Sequence, residues 1–585
     1  MSERKTRAIY GRRLREALQE DMRPQLNSEE LDAYRPYFVD INLLEKINNN
    51  TSQLIVGRRG TGKTHLLGAF HELIRDDHPT QMSVMISINE VAPRARVYDP
   101  SQSPVTETQR VAQSLFESYL HVFFDRFLDA CSQRMEVLVA SGAYPVKKIE
   151  RANSLLTQLL EAIELGSPIA QTRKKTEKST DTTQSDSTSG ISAAGGVDLK
   201  SVKLHAGGKI GRSEDKKSAS ETITSIESLL TLDTYAVRRL VVAVLDNLAI
   251  DTLFLLIDEW MELDKRRPSN VQPAFAQLLK GTFLKDRRIA VKIASIWDLT
   301  TLYDRQDTRE SQGLVLKHDL SQACDLDTTL MTSDSEARNF CKELLFKRLS
   351  TICPALQGLC VRNGDIDDIF ISELFDNEAN FRVFIAASHG IPRDLMNLFQ
   401  KCSLKINRDF ESHCIGHELV CDIVRRAYMQ EKTKAVDDTS PAYRLLRDIN
   451  GYMEKTGRRL FVVDGEAALR SSALRKLVDE ELIHQVPSSA APRAVRDAYK
   501  CYVIDFGNYV DWIMARKRDL AELLAESLIP QFPGDFAENL PSYVIDLASI
   551  DDPTISCPKC ARRISSSDPI FVKYRACPSC AESIA

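Results

Sequence analysis

The stretch from Gly57 to Thr64 fits the pattern G-x-x-x-x-G-K-[ST] at every fixed position. Glycines let the backbone of such a loop curl, so that successive N–H groups point inward at a phosphate. The lysine of the pattern reaches the β- and γ-phosphates, and the hydroxyl after it binds Mg²⁺. We therefore expect a nucleotide to be held by Gly57, Gly60, Thr61, Gly62, Lys63, Thr64 and His65.

Two carboxylates follow an apolar run later in the chain. Leu253 to Ile257 are consecutive apolar residues, and Asp258 and Glu259 come directly after them. Such a run predicts a buried strand that delivers both carboxylates to one edge of a sheet. Hydrolysis needs a carboxylate for the metal ion and a group that positions water. We expect Asp258 to bind Mg²⁺ with Thr64, and Glu259 to polarise the water; the plainer interpretation is a core strand with a solvated acidic end.

The surrounding elements have the pattern of alternating strands and helices. An apolar run, Leu54 to Val56, precedes the loop, and apolar residues recur at helical spacing from Leu66 to Ile74. This context argues against a chance match in a glycine-rich loop. A further strand is predicted over 289–296, where Ser295 is placed to hydrogen-bond the water or the γ-phosphate. Alternating strands and helices predict a parallel α/β sheet.

Composition narrows the class of protein. A chain of 585 residues is long enough for several domains, and a net charge of −5 excludes a globally basic nucleic-acid binder. No apolar run approaches the ~18–20 residues that span a bilayer, and the charged start, Met1 to Lys5, lacks the apolar core of a signal peptide. Of the thirteen cysteines, nine are scattered. These features together predict a cytoplasmic protein without a membrane partner.

The other four cysteines form two matched pairs near the end of the chain. Cys557 and Cys560 are separated by two residues, as are Cys577 and Cys580. Four thiolates at this spacing close a tetrahedral Zn²⁺ site, which predicts a structural zinc ribbon. A thiol-redox function is the alternative, but it does not need two matched pairs.

Residues 441–512 have the pattern of a winged helix. A helix over 442–455 precedes a strand, and a helix over 466–481 precedes two strands that flank a loop at 487–497. The second helix would read DNA in the major groove, with loop arginines on phosphates. A protein-binding winged helix is the alternative, and the acidic end of the helix, residues 479–481, opposes DNA. The candidate DNA contacts are Arg470, Arg475, Lys476, Arg493 and Arg496.

These patterns suggest the following division. Residues 1–34 are a helical lead-in, and 35–325 are a P-loop core with an insertion at about 130–232. Within that insertion, the Thr/Ser/Lys/Asp-rich composition of 170–220 predicts partial disorder. The glycine-rich part of this segment is expected to be either a linker or a hinged hairpin. A helical lid spans 326–435, the winged helix 436–530, and a linker with the zinc ribbon 531–585.

The chain resembles AAA+ ATPases of the origin-recognition/initiator clade, and similar prokaryotic ATPases with a winged-helix tail. The resemblance rests on 57–64, 253–259, Ser295 and the stretch 390–395. It implies a lid that returns Arg393 to the γ-phosphate, and a homo-oligomer with ATP at subunit interfaces. Arg305 or Arg309 would act as an arginine finger. Arg58 and Arg59 depart from the small or proline residues usual in this loop.

Three functions remain open at this point. The leading hypothesis is an ATP-hydrolysing switch whose nucleotide state controls assembly and the binding of double-stranded DNA or a partner protein, for example in an accessory or mobile-element defence ATPase. The second is an interaction scaffold that nucleotide merely stabilises, and the third is a STAND-like signalling ATPase without DNA. An intact Asp258–Glu259 pair speaks against the scaffold, because a scaffold has no use for Glu259.

Overall fold

The structure is a computed structural model. It describes residues 34–91, 104–165, 233–264, 271–304, 312–327, 333–352, 355–362, 365–366, 368–375, 377–406, 414–486, 498–516, 536–547, 554–560, 562–565 and 569–582. Four of the predictions lie outside these residues: the lead-in before Tyr34, the polar part of the insertion, the arginine-finger candidates Arg305 and Arg309, and the wing arginines Arg493 and Arg496.

A five-stranded parallel sheet forms the centre of the first half of the chain. Its strands are β1 (Gln53–Val56), β2 (Gln81–Ser87), β3 (Thr252–Asp258), β4 (Ile289–Ser295) and β5 (Ser321–Asp325). The spatial order is β2-β3-β4-β1-β5, and every neighbouring pair is parallel. β3 and β4 are buried along their whole length, as strands covered on both faces must be. The predicted parallel α/β core is confirmed.

Helices cover both faces of this sheet. They are α1 (Leu43–Ile47), α2 (Lys63–Asp77), α3 (Pro104–Ala140), α4 (Val146–Leu165), α5 (Thr234–Asn247) and α6 (Val271–Thr282). α3 packs on α6 and β2, and α4 packs on α5. Stacked rings, including Phe123 and Phe127, fill the layer between them. The described part of the expected insertion, up to residue 165, therefore packs on the core, because Ile149, Leu156 and Leu159 are buried against it.

The segment before β1 is anchored on α2. The backbone N–H groups of Tyr34 and Arg35 donate to the Glu72 carboxylate over 2.9 and 2.8 Å. The Tyr34 ring lies so close to Gly68 that a Cβ there would stand 2.4 Å from a ring carbon. This close approach holds residues 37–39 beside the loop at 57–64.

The described residues of 333–427 form a helical domain. Its helices are α7 (Asp334–Ile352), α8 (Ala355–Cys360), α9 (Ile369–Phe375), α10 (Glu378–Ala387), α11 (Pro392–Ile406) and α12 (His417–Ala427). One apolar cluster runs from this domain into the next, joining Phe384 and Phe399 to Phe461 and Ile513. The helical domain and the domain after it therefore share a core.

The following domain joins helices to a small antiparallel sheet. Its elements are α13 (Pro441–Thr456), β6 (Leu460–Asp464), α14 (Gly465–Arg470), α15 (Ser472–Asp479), β7 (Ile483–Val486), β8 (Tyr499–Ile504) and α16 (Phe506–Ala515). The strand order is β6-β8-β7. The helix expected over 466–481 is instead two helices, because Ser471 ends the first and caps the second by accepting from the Leu474 N–H.

Two further segments follow. Residues 536–547 were expected to be a linker, yet Phe536 and Tyr543 are buried there, and the Val462 N–H donates to the Tyr543 carbonyl. The chain then forms β9 (Thr554–Ser556), β10 (Arg563–Ser565) and α17 (Pro569–Tyr574). No helix of the described residues is long and apolar enough to cross a membrane.

Candidate nucleotide site

A cavity of about 640 Å³ opens where the β1–α2 loop, the end of β3 and the helical domain meet. Residues 60–65 line it, together with Asp258, Glu259 and Arg393. Gly57 does not line it, but its carbonyl accepts from Lys63. Most of the residues that the sequence assigns to nucleotide therefore converge on one space.

The loop has the curled backbone that phosphate binding requires. Gly60 and Gly62 have φ values of 80° and 93°, a region that favours glycine. The Lys63 Nζ donates to the carbonyls of Gly57 and Arg58 over 2.9 and 2.7 Å. Burial is the main cause that lowers the pKa of Lys63 to about 8. A buried ammonium bonded to neutral carbonyls is well placed to meet an anionic ligand.

Arg58 has a structural partner that the sequence did not suggest. Its backbone N–H and Nε donate to the two carboxylate oxygens of Asp327, over 2.7 and 2.8 Å. Its Nη2 also reaches the carbonyl of His389 at 3.4 Å. Arg58 therefore fastens the loop to the end of β5 and to the helical domain. Arg59 is exposed and lines the cavity.

Thr64 and Asp258 form an oxygen pair suited to a hard cation. The Thr64 hydroxyl donates to the Asp258 carboxylate over 2.6 Å. Burial raises the pKa of Asp258 to about 6, which means that nearby positive charge does not fully compensate its ionised form. Hydroxyl and carboxylate oxygens are ligands that Mg²⁺ accepts. The residues present therefore fit the predicted magnesium ion.

Glu259 is held by two polar residues from the end of β2 and the turn after it. Ser87 donates to Glu259 Oε2 over 2.7 Å, and the Asn89 side-chain amide donates to the same oxygen. Glu259 also has a positive φ of 58°, a conformation uncommon outside glycine and frequent at functional sites. Ser87 and Asn89 could not be assigned to the site from sequence, because only the pairing of β2 with β3 brings them beside Glu259.

Ser295 lies away from the cavity. It is fully buried at the end of β4, opposite Val56, and its hydroxyl accepts from Thr300 over 2.6 Å. The next residue, Ile296, is the one that lines the cavity. In this conformation the Ser295 hydroxyl contacts Thr300, not the space where a γ-phosphate would lie.

Arg393, at the start of α11, lies directly against the loop where the helical domain meets the cavity. Its backbone N–H donates to the Gly60 carbonyl at 3.2 Å. The residue lines the cavity, and its guanidinium donates to Asp394 at 3.2 Å and to Glu481 at 2.8 Å. Arg393 therefore connects the loop to Glu481, in the turn after α15.

Part of the cavity lining is aromatic and apolar and includes Tyr37, Phe38 and Leu344. Arg348, which the sequence reading missed, lies with its guanidinium 4.4 Å from the centre of the Tyr37 ring and donates to His65 Nε2 over 3.0 Å. Burial, followed by the nearby Arg348, lowers the pKa of His65 to about 4, so the imidazole is neutral. The aromatic and apolar side chains in this part of the lining suit a nucleobase.

The four clustered cysteines meet as predicted from their spacing. The Sγ atoms of Cys557 and Cys580 are 3.5 Å apart, and those of Cys560 and Cys577 are 3.7 Å apart. Tetrahedral Zn²⁺ with bonds of ~2.3 Å requires sulfur separations of about 3.8 Å. All four sulfurs lie within 4.8 Å of one another. The donor set and its spacing therefore fit zinc.

The described DNA candidates lie on the surface of α14 and α15. Arg470 is 82% exposed and pairs with Glu466 at 3.2 Å. Lys476 pairs with Glu480 at 2.5 Å, and Arg475 is also exposed. Because the helix breaks at Ser471, Arg470 belongs to a different helix from the other two.

Comparison with known proteins gives only remote likenesses. No protein-family model matches the chain, and no curated protein matches it. Drosophila ORC bound to DNA aligns over 86% of this chain and 90% of that chain, with 13% identity and a TM-score of 0.25. A Walker-type ATPase of Pyrococcus abyssi aligns over 84% of this chain and 99% of that chain, with 14% identity and a TM-score of 0.33. TM-scores this low do not show a shared fold or function.

Replacing Arg58 tests the attachment of the loop. Arg58→Ala removes the guanidinium from the largely buried Asp327, and we expect a loss of about 2–3 kcal/mol in the free energy of unfolding. Chemical denaturation monitored by circular dichroism measures it. Arg59→Ala is the matched control, since that side chain is exposed. Equal stability of the two variants would show that the ion pair does not hold the loop.

Proposed function

We propose that the chain is an ATP-binding and ATP-hydrolysing protein of the AAA+ type. The observation that carries the proposal is the convergence of Lys63, the Thr64–Asp258 pair and Glu259 on one cavity. Phosphoryl transfer to water needs these parts: a cation on the phosphates, a metal carboxylate and a group that positions water. Bound Mg²⁺ would neutralise the charge that develops on the phosphates.

The role of Glu259 follows from its hydrogen bonds. Ser87 and Asn89 both donate to Oε2, so Oε1 is the oxygen that accepts from an attacking water. Lys63 faces the phosphates, and the Arg393 guanidinium approaches them from the helical domain. Ser295 has no direct part in this scheme, because its hydroxyl contacts Thr300. The resemblance to initiator-type ATPases favours slow turnover, in which nucleotide state controls assembly into a homo-oligomer.

The second part of the proposal concerns the domain at 441–516. The order of its elements, α13-β6-α14-α15-β7-β8, is the order expected of a winged helix, and α15 presents Arg475 and Lys476 to solvent. We infer that α15 contacts double-stranded DNA, with the positive side chains on phosphates. A protein partner is the competing occupant of this surface.

The third part concerns the cysteines. We infer that Cys557, Cys560, Cys577 and Cys580 hold a structural Zn²⁺ in a ribbon, since four thiolates leave no open coordination position. The two chain turns at the cysteines are closed by matching bonds, from the Cys557 N–H to Arg562 and from the Cys577 N–H to Glu582.

Hydrolysis is tested by Glu259→Gln. The amide keeps the shape of the side chain but cannot activate water, so we expect unchanged ATP affinity and a rate of phosphate release lowered about 100-fold. Single-turnover assays with and without DNA measure the rate. Lys63→Ala is the comparison variant and should lose nucleotide affinity as well. Equal rates for Glu259→Gln and the wild type would favour the scaffold.

DNA binding is tested by replacing Arg470, Arg475 and Lys476 together with alanine. We expect weaker binding of duplex DNA. The slope of the logarithm of the binding constant against the logarithm of salt concentration should also decrease by the equivalent of up to about three phosphate contacts. Fluorescence anisotropy across a salt series measures both. A charge-matched control replaces Lys147, Lys148 and Arg151, which are exposed on α4. Unchanged DNA affinity of the first variant would leave a protein-binding or STAND-like function.

Zinc is tested by Cys560→Ser. Loss of one ligand should release about one zinc ion per chain and increase hydrogen exchange over 554–582, because so small a module depends on its metal. Metal analysis and exchange mass spectrometry measure these effects. Exchange in β1 to β5 should not change. A wild-type protein that contains no zinc would refute the assignment.

A further inference from the structure

We propose that Glu481 restrains Arg393, so that the γ-phosphate of a bound nucleotide must compete with the Glu481 carboxylate for the Arg393 guanidinium. The inference rests on the proposed function, since it takes the cavity to be a nucleotide site. It makes Glu481 a positioning residue that acts through Arg393 and lies in another domain.

The first observation is the crowding of carboxylates on one guanidinium. Arg393 donates to Asp394 through Nε and to Glu481 through Nη2. Both carboxylates are partly shielded from water, with side-chain exposures of 20% for Asp394 and 40% for Glu481. Burial, and then the charge of Glu481, raises the pKa of Asp394 to about 6. While both carboxylates are ionised, this corner of the cavity has no net positive charge to offer a phosphate.

The second observation is the way in which Glu481 is fixed. It lies in the turn that ends α15 and has a positive φ of 56°. Its N–H donates to the Val478 carbonyl, and its own carbonyl accepts from Lys432 Nζ over 3.1 Å. Lys432 is held in turn by Asp505 at 2.7 Å. The backbone of Glu481 is therefore anchored, while its carboxylate is the more exposed of the two that contact Arg393.

These observations indicate which of the two carboxylates a phosphate would displace from Arg393. The other oxygen of the Glu481 carboxylate lies 3.9 Å from Lys432 Nζ, a long contact. The carboxylate can turn into solvent at low cost, since hydration replaces the bond to Arg393, whereas Asp394 is more buried and adjacent to Arg393 in the chain. A γ-phosphate is thus expected to displace Glu481. ADP lacks that phosphate and leaves the ion pair intact. The pair therefore reports the nucleotide state to the turn at the end of α15, the helix proposed to contact DNA.

The test uses the full chain and compares its affinities for Mg²⁺-ATPγS and Mg²⁺-ADP. Glu481→Gln removes the competing charge but retains the side-chain shape. We expect this variant to bind ATPγS about tenfold more tightly, as for loss of one charge-assisted hydrogen bond, and to bind ADP as the wild type does. Titration with fluorescent analogues of both nucleotides measures the affinities. Asp479→Asn, two residues earlier and exposed on α15, is the matched control and should behave as the wild type.

Dependence on Arg393 separates restraint from a general charge effect. In the Arg393→Ala background, Glu481→Gln should change neither affinity. An equal gain in that background would mean that Glu481 acts on the phosphate directly and would overturn the inference. An unchanged or weaker affinity of Glu481→Gln for ATPγS would also overturn it.

A structural measurement adds a readout that a merely stabilising residue would not affect. Hydrogen exchange over 478–484 should increase with ATPγS and not with ADP, and equal exchange with both would count against the proposal. Failure of this inference can be distinguished from failure of the proposed function. If ATP is bound but not hydrolysed, the hydrolytic assignment fails and the ATPγS-to-ADP ratio still decides the role of Glu481. If neither nucleotide binds, both fail.

Discussion

The arrangement of the site depends on the ion pair between Arg58 and Asp327. A phosphate-binding loop must keep its N–H groups and its lysine directed inward, and the loop alone has no apolar side chains to hold it. Arg58 supplies the attachment by using its backbone N–H and its guanidinium on one carboxylate. This leaves Lys63 as the buried cation that faces the cavity. Two positive residues of one loop, Arg58 and Lys63, thereby have different roles: Arg58 is structural and Lys63 is directed at a ligand.

The parts of the site that could be predicted from sequence are those with local signals. The loop pattern, the apolar run before Asp258 and the cysteine spacing each need only a few consecutive residues. Asp327, Ser87 and Glu481 could not be found in this way. Asp327 is 269 residues from Arg58, and Ser87 is 172 residues from Glu259. Only the strand order and the contact between two domains bring such residues together.

The break at Ser471 shows a different limit of sequence reading. The apolar positions on either side of it, Leu469 before the break and Ala473 and Leu477 after it, keep the helical period, so the pattern predicts one helix. Ser471 has the side chain of an N-cap, which was the available signal. Arg58 shows the reverse case. An arginine is unusual at this loop position, but its structural role became apparent only from its bonds to Asp327.

A buried polar cluster lies where the helical domain meets the last sheet. His389 and His484 stack with ring centres 3.7 Å apart, and the His484 Nε2 lies 3.2 Å from Asp505. Burial lowers the pKa of both histidines. Burial opposes ionisation of Asp505, but Lys432 and the histidines outweigh it and hold its pKa well below the usual value. Two histidines and a carboxylate are a possible metal set, yet Lys432 already provides the positive charge that Asp505 needs.

The shared apolar core of the helical domain and the sheet domain limits how nucleotide binding can act. Separating those two domains would expose a large apolar surface, and each Å² of exposed apolar area costs about 25 cal/mol of free energy. By contrast, the loop is joined to the helical domain by hydrogen bonds, from Arg58 to the His389 carbonyl and from the Arg393 N–H to Gly60. Water can replace such bonds at small net cost. Movement in response to nucleotide is therefore expected at the seam between the loop and the paired domains, with those domains moving as one body.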